Sequence, residues 1–79
     1  MLTQNAKIIK TPAYTYTLSA ERAGDGDHYT ITASAKAGDS TAIPHFTTDA
    51  TRAHTFLDLL ATCAVHPLHL HDVWEDFNA

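Results

Sequence analysis

Two short segments in which apolar and polar residues alternate strictly constrain the fold of this chain most. The first runs from Tyr14 to Ala20 and the second from His28 to Ala35, and glycine and aspartate are frequent between them. A period of two places successive side chains on opposite faces of a β-strand. Glycine and aspartate favour the backbone angles and local hydrogen bonds of tight turns. The pattern therefore predicts a β-hairpin with one buried face and one solvent face.

A third, weaker strand is expected after the hairpin, so that residues 13–46 form a three-stranded antiparallel β-meander. This strand contains Pro44, which has no amide hydrogen to donate to a neighbouring strand. We therefore expect it at an edge of the sheet. Residues 1–12 are expected to be either a flexible arm or a short extra strand built on Ile8 and Ile9.

Two helices are predicted to follow, over residues 48–64 and 67–78. Apolar residues of the first recur at steps of three and four, which is typical of an amphipathic helix with Thr48 as its N-cap. Pro67 suits the first turn of the second helix. The second helix carries one apolar stripe, formed by Leu70, Val73, Trp74 and Phe77. The sequence thus predicts a single α+β domain with both helices packed on one face of the sheet.

Composition limits the chemistry and the location of the protein. The chain has 79 residues, one cysteine and a net charge of −4, and its five basic residues are dispersed. Direct binding to nucleic acid needs clustered lysine and arginine, so we do not expect it. No apolar run approaches the roughly 18 residues of a membrane span, and no signal peptide is evident, so we expect a cytoplasmic protein without membrane contact. Cys63 lies in an apolar stretch and is expected to be buried.

The histidines near the C-terminus form the most tempting metal-binding pattern. His66, His69, His71 and Glu75 lie within ten residues. Residues two apart on a helix point about 200° away from each other, so His69 and His71 cannot share one ion. Pairs on a common face supply two ligands, fewer than a zinc site requires. We therefore predict no metal site and no cofactor, and keep these four residues as weaker candidates.

No pattern predicts a catalytic site. The serines lie in strands or turns and have no glycine elbow, and Cys63 with His66 would still lack an orienting group and an oxyanion donor. Asp72 and Asp76 are one helical turn apart, which an exposed acidic helix face explains. We therefore expect that the protein is not an enzyme.

Hydroxyl side chains line the predicted solvent face of the hairpin. They comprise Thr15, Thr17 and Ser19 on one strand and Thr30, Thr32 and Ser34 on the other. Such a face is either an ordinary solvent face with good strand propensity or a contact surface for another protein. A second candidate surface is the acidic group Asp72, Glu75 and Asp76.

The C-terminal segment from Val65 to Phe77 resembles the ending of an uncharacterised family of short proteins from Firmicutes. The resemblance rests on Pro67, His69, Leu70, Asp72, Val73, Glu75, Asp76 and Phe77. A tyrosine-bearing hairpin and a Thr-x-Asp helix opening at residues 47–49 extend it over most of the chain. The resemblance implies no activity. It implies that His69 and Asp72 belong to a helix-start motif and that His66 and His71 are incidental.

Three classes of function remain at the level of the sequence. The first is a non-catalytic protein-interaction module that binds an unidentified protein or forms a homodimer. The second is an inhibitor from a phage or mobile element, of the anti-CRISPR type, that blocks a nucleic-acid-binding protein of the host. The third is a metal- or small-ligand-binding domain that uses the histidines. An inhibitor of a nucleic-acid site should depend on the acidic group and weaken steeply with salt.

Overall fold

A four-stranded antiparallel sheet and two helices make up the fold. The computed structural model describes residues 3–24 and 26–78, and the side chains of residues 7–22, 24 and 26–78. In sequence order the elements are β1 (Thr3–Lys10), β2 (Tyr14–Ala23), β3 (Gly26–Ala35), β4 (Ser40–Thr47), α1 (Ala50–Cys63), a 3₁₀ turn (Pro67–His69) and α2 (Leu70–Phe77). The strands are adjacent in the order β1-β2-β3-β4. Neither described helix has the length and apolar character needed to cross a membrane.

The α+β class and the two C-terminal helices are confirmed, and the sheet has one strand more than the predicted meander. The extra strand is β1, which pairs with β2 from Thr3 opposite Glu21 to Lys10 opposite Thr15. The register shifts between Asn5 and Lys7, where β1 has a bulge. The sequence left this segment undecided because Ile8 and Ile9 are adjacent and do not alternate. Its conformation depends on pairing with β2 rather than on local pattern.

The hairpin of β2 and β3 separates a buried face from an open face. Its register runs without a shift from Tyr14 opposite Ala35 to Ala23 opposite Gly26. Tyr16 and Leu18 on β2 are fully buried, as are Ile31 and Ala33 on β3. The side chains between them point the other way, as the alternation predicts.

Both helices cover the buried face of the sheet. α1 contributes four buried residues, Ala53, Phe56, Leu57 and Leu60. α2 docks through an aromatic cluster in which the Trp74 ring lies 5.0 Å from the rings of both Phe46 and Phe56. The Phe77 ring lies 5.3 Å from that of Phe56. In the predicted apolar stripe, Leu70 is buried, while Val73, Trp74 and Phe77 are half-buried.

A buried hydrogen bond joins the centre of the sheet to the connection between the helices. The hydroxyl of Tyr16 donates to the backbone carbonyl of Val65 at 2.8 Å. Burial raises the pKa of Tyr16 above its ordinary value of 10.0, and the nearby Tyr14 and Cys63 add to the shift. The neutral hydroxyl is therefore the form that the fold stabilises.

The start of α1 differs by one residue from the prediction. Asp49, and not Thr48, is the N-cap, since its side chain accepts a hydrogen bond from the backbone N–H of Arg52 at 3.1 Å. A carboxylate is an effective acceptor at this position, where the helix dipole favours negative charge. The Thr47 hydroxyl accepts from the N–H of Asp49.

The prediction that Cys63 is buried is wrong, because its side chain is exposed. Cys63 is the last residue of α1, one turn beyond Leu60, the last buried residue of that helix. At Ala64 the backbone takes a left-handed conformation with φ of 50°. The chain then turns back, and Val65 enters the core while Cys63 stays on the surface.

The edge position of the strand with Pro44 is confirmed, since β4 ends the sheet. The β3–β4 register shifts between Tyr29 and Ile31. His45 has a φ of 49° there, an unusual value for a residue with a side chain. The irregularity and the proline together make this edge a poor template for another strand.

Replacing Tyr16 by phenylalanine tests the buried hydrogen bond. The Tyr16→Phe variant should lose about 1 to 2 kcal/mol of unfolding free energy at neutral pH, since the Val65 carbonyl loses its donor. The folded pKa of Tyr16 is raised, so its contribution is complete below the ordinary value of 10.0 and is lost as the pH rises through the folded value. The variant should therefore lose less stability than the wild type at alkaline pH.

Urea unfolding across the alkaline range measures this difference. Tyr29→Phe is the control, because it removes the same atom from another buried tyrosine and keeps Tyr16 in place. Equal alkaline losses of stability in the wild type and in Tyr16→Phe would contradict the assignment.

Candidate functional site

Six hydroxyl side chains form one continuous patch on the open face of the sheet, which we name the hydroxyl face. Across the β2–β3 hairpin they stand directly opposite one another in three pairs, Thr15 with Ser34, Thr17 with Thr32, and Ser19 with Thr30. All six are half-buried. The structure thus brings together the four predicted interaction residues Thr15, Thr17, Thr30 and Thr32, on the side of the sheet that the helices leave open.

Local hydrogen bonds orient one end of the hydroxyl face. The hydroxyl of Ser19 donates to the Thr30 carbonyl at 3.4 Å. The Thr30 hydroxyl accepts from the backbone N–H of His45 at 3.2 Å. Threonine side chains are stiff because they branch at Cβ, so the patch presents donors and acceptors at fixed positions.

The same open face carries two residues of β1 that the sequence did not single out for function. Ile8 stands opposite Thr17 and Lys10 opposite Thr15. Directly opposite residues of antiparallel strands share a face. Ile8 is 46% exposed, which makes it one of the two large hydrophobic residues exposed in the described part of the chain. Only their register with β2 places both residues on this face, and that register could be predicted only if β1 were known to be a strand.

A polar cluster closes the end of the open face at which Ser19 and Thr30 lie, away from Lys10. Glu21 stands opposite His28 in the hairpin. The Nε2 atom of His45 lies 3.5 Å from a carboxylate oxygen of Glu21, and its ring lies 5.4 Å from that of His28. Three neighbouring strands therefore contribute to this cluster, although the residues are far apart in sequence.

The acidic group lies on the opposite side of the molecule. Asp72, Glu75 and Asp76 are all exposed on α2, which packs with α1 on the buried face of the sheet. The two predicted interaction surfaces are therefore separated by the thickness of the domain and cannot contribute to one contact.

The structure gives a specific role to His66 and separates the other C-terminal histidines. The Nδ1 atom of His66 accepts a hydrogen bond from the backbone N–H of Leu68 at 3.1 Å, and its Nε2 atom lies 3.7 Å from a carboxylate oxygen of Asp39. The side chain of His66 thus caps the 3₁₀ turn, while His69 occupies the N-cap position of α2 without a side-chain hydrogen bond and Asp72 lies in the first turn of that helix. The inference that His66 is incidental is wrong.

The weaker metal candidates do not assemble into a ligand set. His69, His71 and Glu75 are exposed. Among the residues that the structure describes, no group of three or more histidine, cysteine, aspartate or glutamate side chains is arranged to hold a metal ion. The Nδ1 lone pair of His66 is already used by the backbone.

Comparison with known proteins identifies the family and no activity. A family profile described as a family of unknown function, DUF6514, matches residues 3–79. The chain therefore belongs to this family, in keeping with the resemblance to an uncharacterised family. No curated protein and no solved structure matches the chain.

Paired alanine substitutions test the role of His66. His66→Ala removes the cap and the contact with Asp39, and we expect it to lower the unfolding free energy by about 1 kcal/mol. His71→Ala deletes an exposed imidazole from the same region and should change stability by less than about 0.5 kcal/mol. Thermal or urea unfolding of both variants measures the difference. Equal effects would contradict the capping role.

Proposed function

We propose that this protein is a non-catalytic protein-interaction module whose binding surface is the hydroxyl face. The observation that supports this most is the pairing of six small hydroxyl side chains across the open side of a sheet whose other side is filled by the core. The cytoplasm is the proposed location, because the exposed thiol of Cys63 stays reduced there.

Physical properties of the hydroxyl face suit it to binding. The central side chains carry no charge, so covering them incurs a smaller desolvation penalty than covering ionised groups. The two strands are the middle strands of the sheet and are held by neighbours on both sides. Little backbone entropy is therefore lost when a partner docks.

The exposed Ile8 favours a contact surface over an ordinary solvent face. Threonine is common on solvent faces because of its strand propensity, so the hydroxyls alone fit both interpretations. Ile8 lies beside Thr17 with nearly half of its surface exposed. A partner that covered the face would also remove this apolar surface from water, which contributes to binding.

A second candidate function uses the other side of the molecule. The acidic group on α2 occupies positions i, i+3 and i+4, which lie on one side of a helix. Such a surface suits the basic nucleic-acid site of a host protein, as the inhibitor hypothesis requires. That interaction would weaken steeply as salt rises, whereas contacts of the uncharged hydroxyl face would change little.

Placing an arginine in the middle of the hydroxyl face tests the proposal. Thr17→Arg puts a long charged side chain between Ile8 and Thr32 and should abolish capture of the partner from lysate of cells that express the protein. Thr62→Arg introduces the same side chain at an exposed position of α1 and should leave capture unchanged. Mass spectrometry of the captured proteins at low and moderate salt is the measurement.

The variants also separate the two candidate functions. A partner that is lost from Thr17→Arg at both salt concentrations supports the hydroxyl face. Three results together would overturn the proposal in favour of the inhibitor. Thr17→Arg would still capture a nucleic-acid-binding partner, and that partner would be lost as salt rises. It would also be lost from a variant with Asp72→Asn, Glu75→Gln and Asp76→Asn. Circular dichroism of each variant shows whether the fold is intact.

A further inference from the structure

Three side chains of different character are spaced along the open face in the direction of the strands. Lys10 stands opposite Thr15 at one end, and Glu21 is on β2 six residues beyond Thr15 at the other end. At a rise of about 3.3 Å per residue, the two charges are separated by about 20 Å along the strands. Ile8 stands opposite Thr17, one residue from the midpoint of that distance. A positive end, an apolar centre and a negative end thus follow one another.

We propose that the occupant of the open face is a second copy of this chain, stacked face to face about a two-fold axis that lies between the sheets and runs perpendicular to the strands. This inference rests on the proposed function, since it names the partner of the same face. A two-fold interface presents the same patch from both copies, so the patch must be complementary to itself.

Charge complementarity fixes the direction of the axis. Rotation about an axis perpendicular to the strands reverses the strand direction, so the Lys10 end of one copy lies over the Glu21 end of the other, and this contact occurs twice. An axis parallel to the strands would instead place like ends together. Lys10 is on β1 and Glu21 on the neighbouring strand β2, about 4.8 Å apart across the sheet, a distance that a lysine side chain spans.

The centre of the patch is self-complementary in the same arrangement. A hydroxyl group both donates and accepts hydrogen bonds, so a row of threonines and serines can satisfy an identical row. Ile8 lies near the axis because it is near the midpoint between the two charges. The axis therefore brings the two copies of Ile8 close together, and the exposed apolar surface of each is buried by the other.

The size of the open face sets the expected strength of the dimer. Four strands of eight to ten residues cover about 19 Å by 26 to 33 Å, or about 500 to 600 Å² in each copy. The two copies together would bury about 1,000 to 1,200 Å², which is at the lower end of specific interfaces. We therefore expect a reversible dimer that dissociates on dilution.

Charge reversal with a complementary double variant tests this arrangement. Sedimentation equilibrium over a series of protein concentrations should show a monomer–dimer equilibrium for the wild type. Lys10→Glu or Glu21→Lys alone creates two like-charge contacts in each dimer and should raise the dissociation constant by about tenfold or more. The double variant restores opposite charges in exchanged positions and should return the dissociation constant to within about threefold of the wild type.

Lys36→Glu is the matched control for Lys10→Glu, because it makes the same change of net charge at an exposed residue outside the sheet. It should leave the dissociation constant within about twofold. A wild-type protein that stays monomeric at every concentration, or single variants that behave as Lys36→Glu does, would overturn the inference. If the dimer is overturned in this way but Thr17→Arg still loses a captured protein other than this chain, the proposed interaction module remains supported, with that protein as its partner.

Discussion

All the buried side chains in the described part of the sheet lie on one of its faces, and the rest of the structure follows from this constraint. Both described helices pack on the side of Tyr16, Leu18 and Ile31. The bond from Tyr16 to the Val65 carbonyl fixes the connection between these helices over the sheet centre. None of the described elements covers the opposite face, so its residues must tolerate water or a partner. Small hydroxyl side chains meet that requirement, and the β-branched threonines among them also stabilise strands.

The distribution of charge follows the same division. Asp72, Glu75 and Asp76 keep the outer surface of α2 in water, and the middle of the open face has no charged side chain. Among the described residues of the open face, Lys10 lies at one end, and Glu21 lies at the other beside His45. Because the face is uncharged in the middle and carries opposite charges at its two ends, it is asymmetric along the strands. This asymmetry fixes the orientation in which a partner can bind.

The sequence predicted the structure correctly wherever the local residue pattern agrees with the tertiary structure. Strict alternation in β2 and β3 predicted which side chains face the core, and the helical spacing of Phe56, Leu57 and Leu60 predicted the buried side of α1. Both periodicities follow from backbone geometry alone. The four threonines of the candidate site were found in this way.

Features that depend on distant parts of the chain were left undecided or missed. β1 is a strand because β2 offers it an edge, and Ile8 and Lys10 join the open face only through that pairing. Cys63 lies in an apolar stretch of sequence but is exposed at the end of α1, and after the turn at Ala64 it is Val65 that is buried. His66 caps the 3₁₀ turn through the N–H of Leu68, and its Nε2 atom also lies near Asp39, which is in the turn between β3 and β4 and far away in sequence.

The most direct test of whether the open face is the interaction surface is an NMR measurement with a soluble paramagnetic agent. It reports the solvent exposure of the threonine methyl groups. The methyl groups of Thr15, Thr17, Thr30 and Thr32 report on that face, and those of Thr51, Thr55 and Thr62 report on the exposed side of α1. As the protein concentration rises, the first group should become protected from the agent while the second stays exposed. Protection of the α1 methyl groups instead, or of neither group at any concentration, would contradict this account.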